Sequence, residues 1–338
     1  MARSPGSALA SLGEFGLIER LRHLVPTTGP GVIIGIGDDA AVLRFSAQAI
    51  ATCDIQVEGV HFTWDLCRPE DLGWRALAVN LSDIAAMAGV PRYALVSLAL
   101  PPETTLATVD GLYAGLAEAA LAYSVVIVGG NVSGTSGPFA IDITVLGEGD
   151  RVLSRAGARP GDGVWVTGSV GKAAAGLFLL QHPGTNSPAG DALVRAYRRP
   201  IPRVTAGRVL AATGLVTAMI DTSDGTASDL LHLAEASKTG ARLDLDRLPV
   251  PAGLDAAARA AGRDPAAWTL GGGEDYELLF TAAPAFEARA AHHAEAAGVL
   301  LTRIGEILPE ADGRWVLGPG AIRSPLRAAG WDHFRNRG

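Results

Sequence analysis

Five short stretches of this sequence place acids beside glycines or small hydroxyl and thiol residues, next to apolar runs. The first is Gly35-Ile36-Gly37-Asp38-Asp39-Ala40-Ala41, which follows Val32-Ile33-Ile34, a run that reads as a buried strand. Two like charges about 4 Å apart repel by about 4 kcal/mol at an effective dielectric of about 20. A plain turn needs one acid at most, whereas a hard cation such as Mg²⁺, which takes carboxylate and water oxygens, accounts for the pair. A single such pair is more often a solvated surface turn. Recurrence shifts the balance, because the pattern returns at Thr52-Cys53-Asp54, Asn80-Leu81-Ser82-Asp83, Asp221-Thr222-Ser223-Asp224-Gly225 and Gly271-Gly272-Gly273-Glu274-Asp275.

Asp221 and Asp224 flank Ser223 just past the apolar Met219-Ile220, and Thr226 and Ser228 then open a helix. An acidic strand end at a helix N-terminus suits phosphate oxygens bridged by Mg²⁺; an N-cap carrying incidental acids is the competing account. Gly271 to Glu277 is harder to read blandly. Three glycines carry a large entropy cost on ordering, and a flexible linker would not run straight into the apolar Leu278-Leu279-Phe280.

Two letter-matches fail on their physics. Gly35-x-Gly37-x-x-Ala40 has the spelling of a dinucleotide fingerprint, but Asp38 and Asp39 would sit against the pyrophosphate. Gly168-Ser169-Val170-Gly171-Lys172 resembles a P-loop, yet Val166 stands where its first glycine belongs and Ala173 replaces the metal-binding hydroxyl. A turn opening a helix accounts for it better. His61, taken alone, reads as a structural histidine, and Arg155 as a surface group or a phosphate contact.

These residues need positioning elements. Helical spacing covers Glu14–Leu24, and strands are expected at Val32–Ile36, Ala41–Phe45 and Ala49–Ile55. Pro69 and Glu70 open a helix to about Met87 on which Asn80 and Asp83 share a face, so that Asp83 points toward the acid-bearing strands. Tyr93–Leu100 reads as a strand, Thr105–Tyr123 as a helix, Val125–Val128 as a strand running into Gly129-Gly130-Asn131, and Phe139–Leu146 as a further strand. Beyond the Gly- and Pro-containing loop 157–163 come the strand Val164–Thr167, helices at Lys172–Gln181, Ala192–Tyr197 and Arg203–Ala212, and the strand Val216–Ile220. A helix over Thr226–Thr239 and strands at Ala241–Leu245 and Tyr276–Thr281 complete the expected elements. The fold class is α+β in two domains, residues 1–150 and 151–338.

Composition removes several functions. A net charge of −7, with Lys172 and Lys238 the only lysines, argues against a nucleic-acid or anionic-membrane surface. Glycines, Ser124, Asn131 and Pro138 interrupt the long uncharged stretch Ala119–Ile141, so it is not expected to span a membrane. Cys53 and Cys67 are too few for a disulfide framework, which points to a reducing cytoplasm, and no apolar signal core follows Arg3.

Together these stretches resemble the thiamine-monophosphate kinase family, of the superfamily that includes aminoimidazole ribonucleotide synthetase and selenophosphate synthetase. The likeness runs from Gly13-Glu14-Phe15 through the acidic stretches and the continuation Tyr276-Glu277-Leu278 to Gly330-Trp331-Asp332-His333-Phe334. It implies an aminoimidazole ribonucleotide synthetase-like fold, with an N-terminal domain that dimerises through its sheet and a second α+β domain closing over nucleotide and substrate. The implied activity is ATP-dependent phosphorylation of thiamine monophosphate to thiamine diphosphate. Asp39, Thr52, Cys53, Asp54, Asp83, Asn131, Asp221 and Asp224 fall on the family's Mg²⁺ positions, several ions in all. Gly130, Asn131, Arg155 and Ser223 fall on ATP contacts, and His61, Glu274 and Trp331 on substrate contacts. The implied partners are these two small molecules and a second copy of the chain.

The chemistry fits that resemblance. A phosphate monoester acceptor is ionised near neutral pH, so no general base is required, and bringing two polyanions together calls for cations. Trp331 and Glu274 suit a cationic thiazolium ring. Two residues depart from the family's usual pattern: Cys53 stands for Thr, and Asn131 for Asp. A contact through the backbone carbonyl would make Cys53 harmless, while Asn131 keeps an oxygen and loses a charge. Selenophosphate synthetase would need a reactive cysteine before Cys53, and the related hydrogenase-maturation protein a C-terminal one; the chain has neither. A non-catalytic nucleotide binder is the reading of another class, which retention of the other acids opposes.

Overall fold

The computed structural model describes residues 16–36, 40–184 and 188–328. These form two compact units, one of residues up to Ile84 with Val90–Asp150, the other of Ala85–Gly89 with Arg151 onward.

The first unit contains β1 (Val32–Ile34), β2 (Val42–Leu43), β3 (Gln48–Val57), most of α1 (Pro69–Ala86), β4 (Val90–Leu100), α2 (Leu106–Ala122), β5 (Val126–Gly134) and β6 (Ala140–Gly149). Its main sheet has the order β3-β6-β4-β5, with β3 and β4 antiparallel to β6 and β5 parallel to β4. Alternation divides the sheet into two faces. Val96, Leu98, Ile141, Ile143 and Val145 are buried on one face, whereas Cys53 and Ile55 lie exposed on the other. Helix α1 lies on the buried face, where the Arg75 guanidinium, itself buried, donates to Gln56 at 3.3 Å. Helices α1 and α2 approach closely at Gly73 and Gly115: a Cβ on either would fall about 1.9 or 1.8 Å from a backbone carbonyl oxygen of the other helix.

Two expectations change here. The run Val32-Ile33-Ile34 is not a buried strand: Ile33 and Ile34 are 55% and 38% exposed, because β1 pairs only with the two-residue β2 and joins neither larger sheet. Strand β5 does not stop at Val128 but continues through Gly129, Gly130 and Asn131 to Gly134, held by parallel pairing to β4. Helix α1 ends at Ala86, within a residue of its expected end, and Ala88 follows in the left-handed region.

The second unit carries β7 (Gly163–Thr167), α3 (Lys172–Gln181), α4 (Pro188–Arg198), α5 (Val204–Ala212), β8 (Val216–Asp221), α6 (Thr226–Ala236), β9 (Gly240–Asp244), α7 (Leu254–Ala260), α8 (Pro265–Gly271), β10 (Leu278–Ala282), α9 (Ala290–Ala297), β11 (Leu301–Leu308), β12 (Arg314–Leu317) and β13 (Arg323–Pro325). Its sheet has the order β13-β12-β9-β11-β7-β10-β8, antiparallel except between β12 and β9. Both faces are covered. Val164, Val166, Ala218, Ile220 and Leu279 pack with Leu230 and Leu233 of α6, while Trp165, Met219, Leu278 and Phe280 pack with Leu210 of α5 and Ala297 of α9. Every residue of β7 and β10 is therefore buried, and their sequences read as unbroken apolar runs. Strand β10 lies between β7 and the edge strand β8, and the acidic segments stand where β8 ends and β10 begins.

Candidate functional site

In the first unit, Thr52 and Asp54 of β3 face α1. Thr52 Oγ1 donates to Asp83 Oδ2 at 2.5 Å. Burial pushes the Asp54 carboxyl up to about 6, aided by the charge of Asp83, a hydrogen bond shared with it, and the charge of Asp142. The helix thus delivers Asp83 to the middle of β3, forming a carboxylate pair whose charge calls for a counter-ion.

Cys53 faces the other way. Its sulfur donates to Asp142 at 3.2 Å and accepts from the Thr144 hydroxyl at 3.5 Å. The Thr144 hydroxyl pulls the Cys53 pKa down, but burial and the carboxylates of Asp142 and Asp54 outweigh it, so the thiol lies above its ordinary value. A protonated thiol is a poor ligand for a hard cation. Register puts Asn131 level with Ser97, which is itself level with Asp142. Cys53, Asp142 and Asn131 therefore belong to one face of the sheet, and Thr52, Asp54 and Asp83 to the opposite side. Gly130, with φ +155°, sits so close to β4 that an added Cβ would fall about 1.8 Å from the Val96 carbonyl oxygen. His61 Nδ1 accepts from the Val57 amide at 3.0 Å and closes the turn after β3, so one ring nitrogen has a structural use.

In the second unit, two acidic stretches distant in sequence are joined through their backbones. Asp221 ends β8 opposite Leu278 of β10. The Thr222 amide donates to the Glu277 carbonyl (2.8 Å), the Glu274 amide to the Ser223 carbonyl (2.9 Å), and the Tyr276 amide to the Thr222 carbonyl (3.0 Å). The Glu277 amide in turn donates to Thr222 Oγ1 (3.0 Å). Gly273 serves this close approach: a Cβ on it would meet the Ser223 carbonyl oxygen at about 2.4 Å. Glu274 and Tyr276 have φ of +70° and +51°, a region ordinary side chains rarely adopt and one that concentrates at functional sites. Asp221 is buried, whereas Ser223, Asp224 and Glu274 are half-buried. Arg155 is exposed, and its charge reaches this cluster through Asp229.

Beneath the segment lies an ionic network. The fully buried Glu277 carboxylate is gripped by Arg203 through Nε at 2.7 Å and Nη2 at 2.6 Å, by the Thr167 hydroxyl at 2.6 Å, and by Lys172. Lys172 is thus committed to an internal partner, as suits a turn that opens a helix. Asp275 accepts from the amides of Gly171 and Ala173 at the start of α3, and burial pushes its carboxyl up to about 7 against the pull of Lys172 and those amides.

Asp39 and Trp331 lie outside the described residues. Two acids escaped the sequence reading. Asp142 alternates along β6 like an ordinary outward residue, and Asp229 stands in the first turn of α6, where an acid is unremarkable. The spacing Asp221, Asp224, Asp229 was the available signal. Among the described residues no three acids, cysteines or histidines form a ready-made cage for a metal.

The two units and their acidic strand ends define an AIR synthase-related protein: residues 37–148 match the AIR synthase related protein N-terminal domain and residues 159–317 its C-terminal domain. Thiamine-monophosphate kinase of Escherichia coli strain K12 is 38% identical, over 95% of this chain and 98% of its own. A crystal structure of thiamine-monophosphate kinase from Stenotrophomonas maltophilia K279a superposes with a TM-score of 0.79 at 37% identity, covering 90% of this chain and 96% of that one. A structure of AaThiL complexed with AMPPCP and TMP superposes with a TM-score of 0.75 at 33% identity, covering 98% and 100%. The chain belongs to the thiamine-monophosphate kinase family.

Proposed function

We infer that this chain phosphorylates thiamine monophosphate to thiamine diphosphate at the expense of ATP. The observation that carries the reading is the lacing of Asp221–Gly225 to Gly273–Glu277, which holds acids and backbone amides together where β8 ends and β10 begins, in a chain of this family. A neighbour of similar fold is described with an ATP analogue and TMP bound, which supports the same pair of substrates here.

The acceptor phosphate is already a nucleophile near neutral pH, so no side chain has to remove a proton from it. The chain's own task is to bind and align two polyanions. Ser223 and Arg155 are assigned to the nucleotide phosphates, together with Gly130 and Asn131. Glu274, held at positive φ, offers a carboxylate to the thiazolium cation, with His61 and Trp331 as the other substrate contacts. Thr52, Cys53, Asp54, Asp83, Asn131, Asp221 and Asp224, with Asp39, are assigned to Mg²⁺, with Cys53 acting through its carbonyl because its thiol points to Asp142. The repelling Asp54–Asp83 pair suits such ions. When bound, Mg²⁺ neutralises the charge of the transferring phosphoryl group.

The exposed face of β3, with Ala49, Ala51, Cys53 and Ile55 in alternation on a sheet edge, supports a homodimer joined through the first unit's sheet. The two free cysteines support a cytoplasmic site of action. Among the described residues no helix is long and apolar enough to cross a membrane. The test is incubation with thiamine monophosphate, ATP and Mg²⁺. Thiamine diphosphate and ADP should form in equal amounts; ATP bound without product would make the chain a binder.

A further inference from the structure

Asp229 is the one acid near the Asp221–Asp224 loop to which the reading above gives no task. Its residue is 1% exposed, and neither carboxylate oxygen has a well-formed hydrogen bond. One helical turn earlier on the same face of α6, the Thr226 hydroxyl is equally buried and equally without a partner. The usual use for an acid in a first turn, capping helix amides, does not apply: α6 begins after Gly225 with no side-chain cap. Burial raises the Asp229 pKa well above the ordinary carboxylate value, and the charges of Asp221 and Asp224 add to it. The Asp224 amide and Arg155 pull the other way without offsetting this.

An ionised carboxylate buried here, with only a poorly formed contact to the Asp224 amide and beside the charges of Asp221 and Asp224, is unfavourable unless something compensates it. In the metal-free chain the raised pKa leaves a proton on Asp229, which removes the repulsion but not the want of partners, and a lone water does the reverse. A cation with its own waters does both. We propose that Asp229 is an outer-sphere ligand of a divalent cation held by Asp221 and Asp224, accepting hydrogen bonds from the ion's bound water on the face it shares with Thr226. The outer-sphere assignment rests on the chemistry of Mg²⁺, which keeps several of its waters when bound. The proposal rests on the reading of Asp221 and Asp224 as metal residues.

The test uses Mn²⁺ as the probe, titrated into the full chain with a non-hydrolysable ATP analogue and followed by electron paramagnetic resonance, alongside thermal melting with and without Mn²⁺. Asp229→Asn should weaken one class of Mn²⁺ site about tenfold or more, the usual effect of removing an outer-shell partner. It should also reduce the Mn²⁺-induced rise in melting temperature while leaving the metal-free protein melting no lower than the unsubstituted one. Asp229→Ser, which leaves room for water, is read in the same way should the Asn variant not fold. Mn²⁺ affinity and Mn²⁺-induced stabilisation equal to the unsubstituted protein would overturn the proposal, as would a loss of metal-free stability with no change in affinity. Asp221→Asn and Asp224→Asn separate the two levels. If they weaken Mn²⁺ binding and Asp229→Asn does not, only the role of Asp229 fails; if none of the three does, the metal reading of this loop fails with it.

Discussion

Thr52 Oγ1 and Asp83 Oδ2 meet at 2.5 Å, and this bond is what brings a helix carboxylate against the strand that carries Asp54. The consequence is electrostatic. With its folded pKa raised from 3.8 to about 6, Asp54 favours the folded state when protonated, and that contribution is lost as pH rises from about 4 through about 6. A divalent ion binds the ionised form and competes with the proton. The rise in melting temperature on adding Mg²⁺ should therefore be small at about pH 5 and larger at about pH 7.5. Melting curves at both values, with EDTA as the metal-free reference, check this. A Mg²⁺ effect that does not change across that range would remove Asp54 from the ion's surroundings.

Glu277 and Lys172 make a second pair with a clear expectation. Glu277→Gln leaves Lys172 and Arg203, 16% and 21% exposed, without their counter-charge, and removing one partner of a buried pair costs about 3–5 kcal/mol. Lys172→Met leaves the two Arg203–Glu277 bonds in place and should cost less. Because Lys172 serves this internal carboxylate, its loss should change the KM for ATP by less than about twofold. Denaturant unfolding and steady-state kinetics on both variants decide it. A large rise in KM for ATP without loss of stability would put Lys172 on a phosphate.

The elements readable from sequence were those with strong periodic contrast. Lys172–Gln181 reads as a helix and is one, and α1 and α2 lie within a residue or so of their expected ends. Helices α7, α8 and α9 had no such contrast, because their alanine-rich turns pack small residues on several sides, as Ala257 and Ala258 do. The glycines of 271–273 were legible as something other than a linker from the acids after them. That Gly273 leaves room for the Ser223 carbonyl, and Gly272 for that of Trp268, is visible only in three dimensions. Cys53 stood beside Thr52 and Asp54 in the sequence, yet the two-residue period of β3 turns its thiol to the opposite face.

Asp275 predicts a pH dependence in the second unit. Full burial holds its carboxyl at about 7, against 3.8 unperturbed, so the folded state binds the proton more tightly than the unfolded chain. Its contribution to stability is complete below about pH 4 and is lost as pH rises through about 7. Asp275→Asn should flatten that part of the stability profile, while the lost acceptor for one of the Gly171 and Ala173 amides lowers stability overall. Melting temperatures of both proteins between about pH 5 and about pH 8 test this. Parallel profiles would show that Asp275 stays ionised throughout.

Asn131 carries the last prediction because it is the departure that bears most directly on metal binding. It lies in the row of Ser97 and Asp142, on the face that also carries the Cys53 thiol. An aspartate there would strengthen attraction to an ion and, in the metal-free protein, add a second carboxylate to a face already holding Asp142. Asn131→Asp should therefore lower metal-free stability slightly, raise stability with Mg²⁺ and ATP, and reduce the Mg²⁺ concentration needed for half-maximal activity. Asn131 is exposed on its strand, so the substitution disturbs no buried packing. Paired Mg²⁺ titrations of activity and of melting temperature read both effects. Should neither curve move, residue 131 does not approach a metal, and the ions are held by the acids facing α1 and by those at the end of β8 alone.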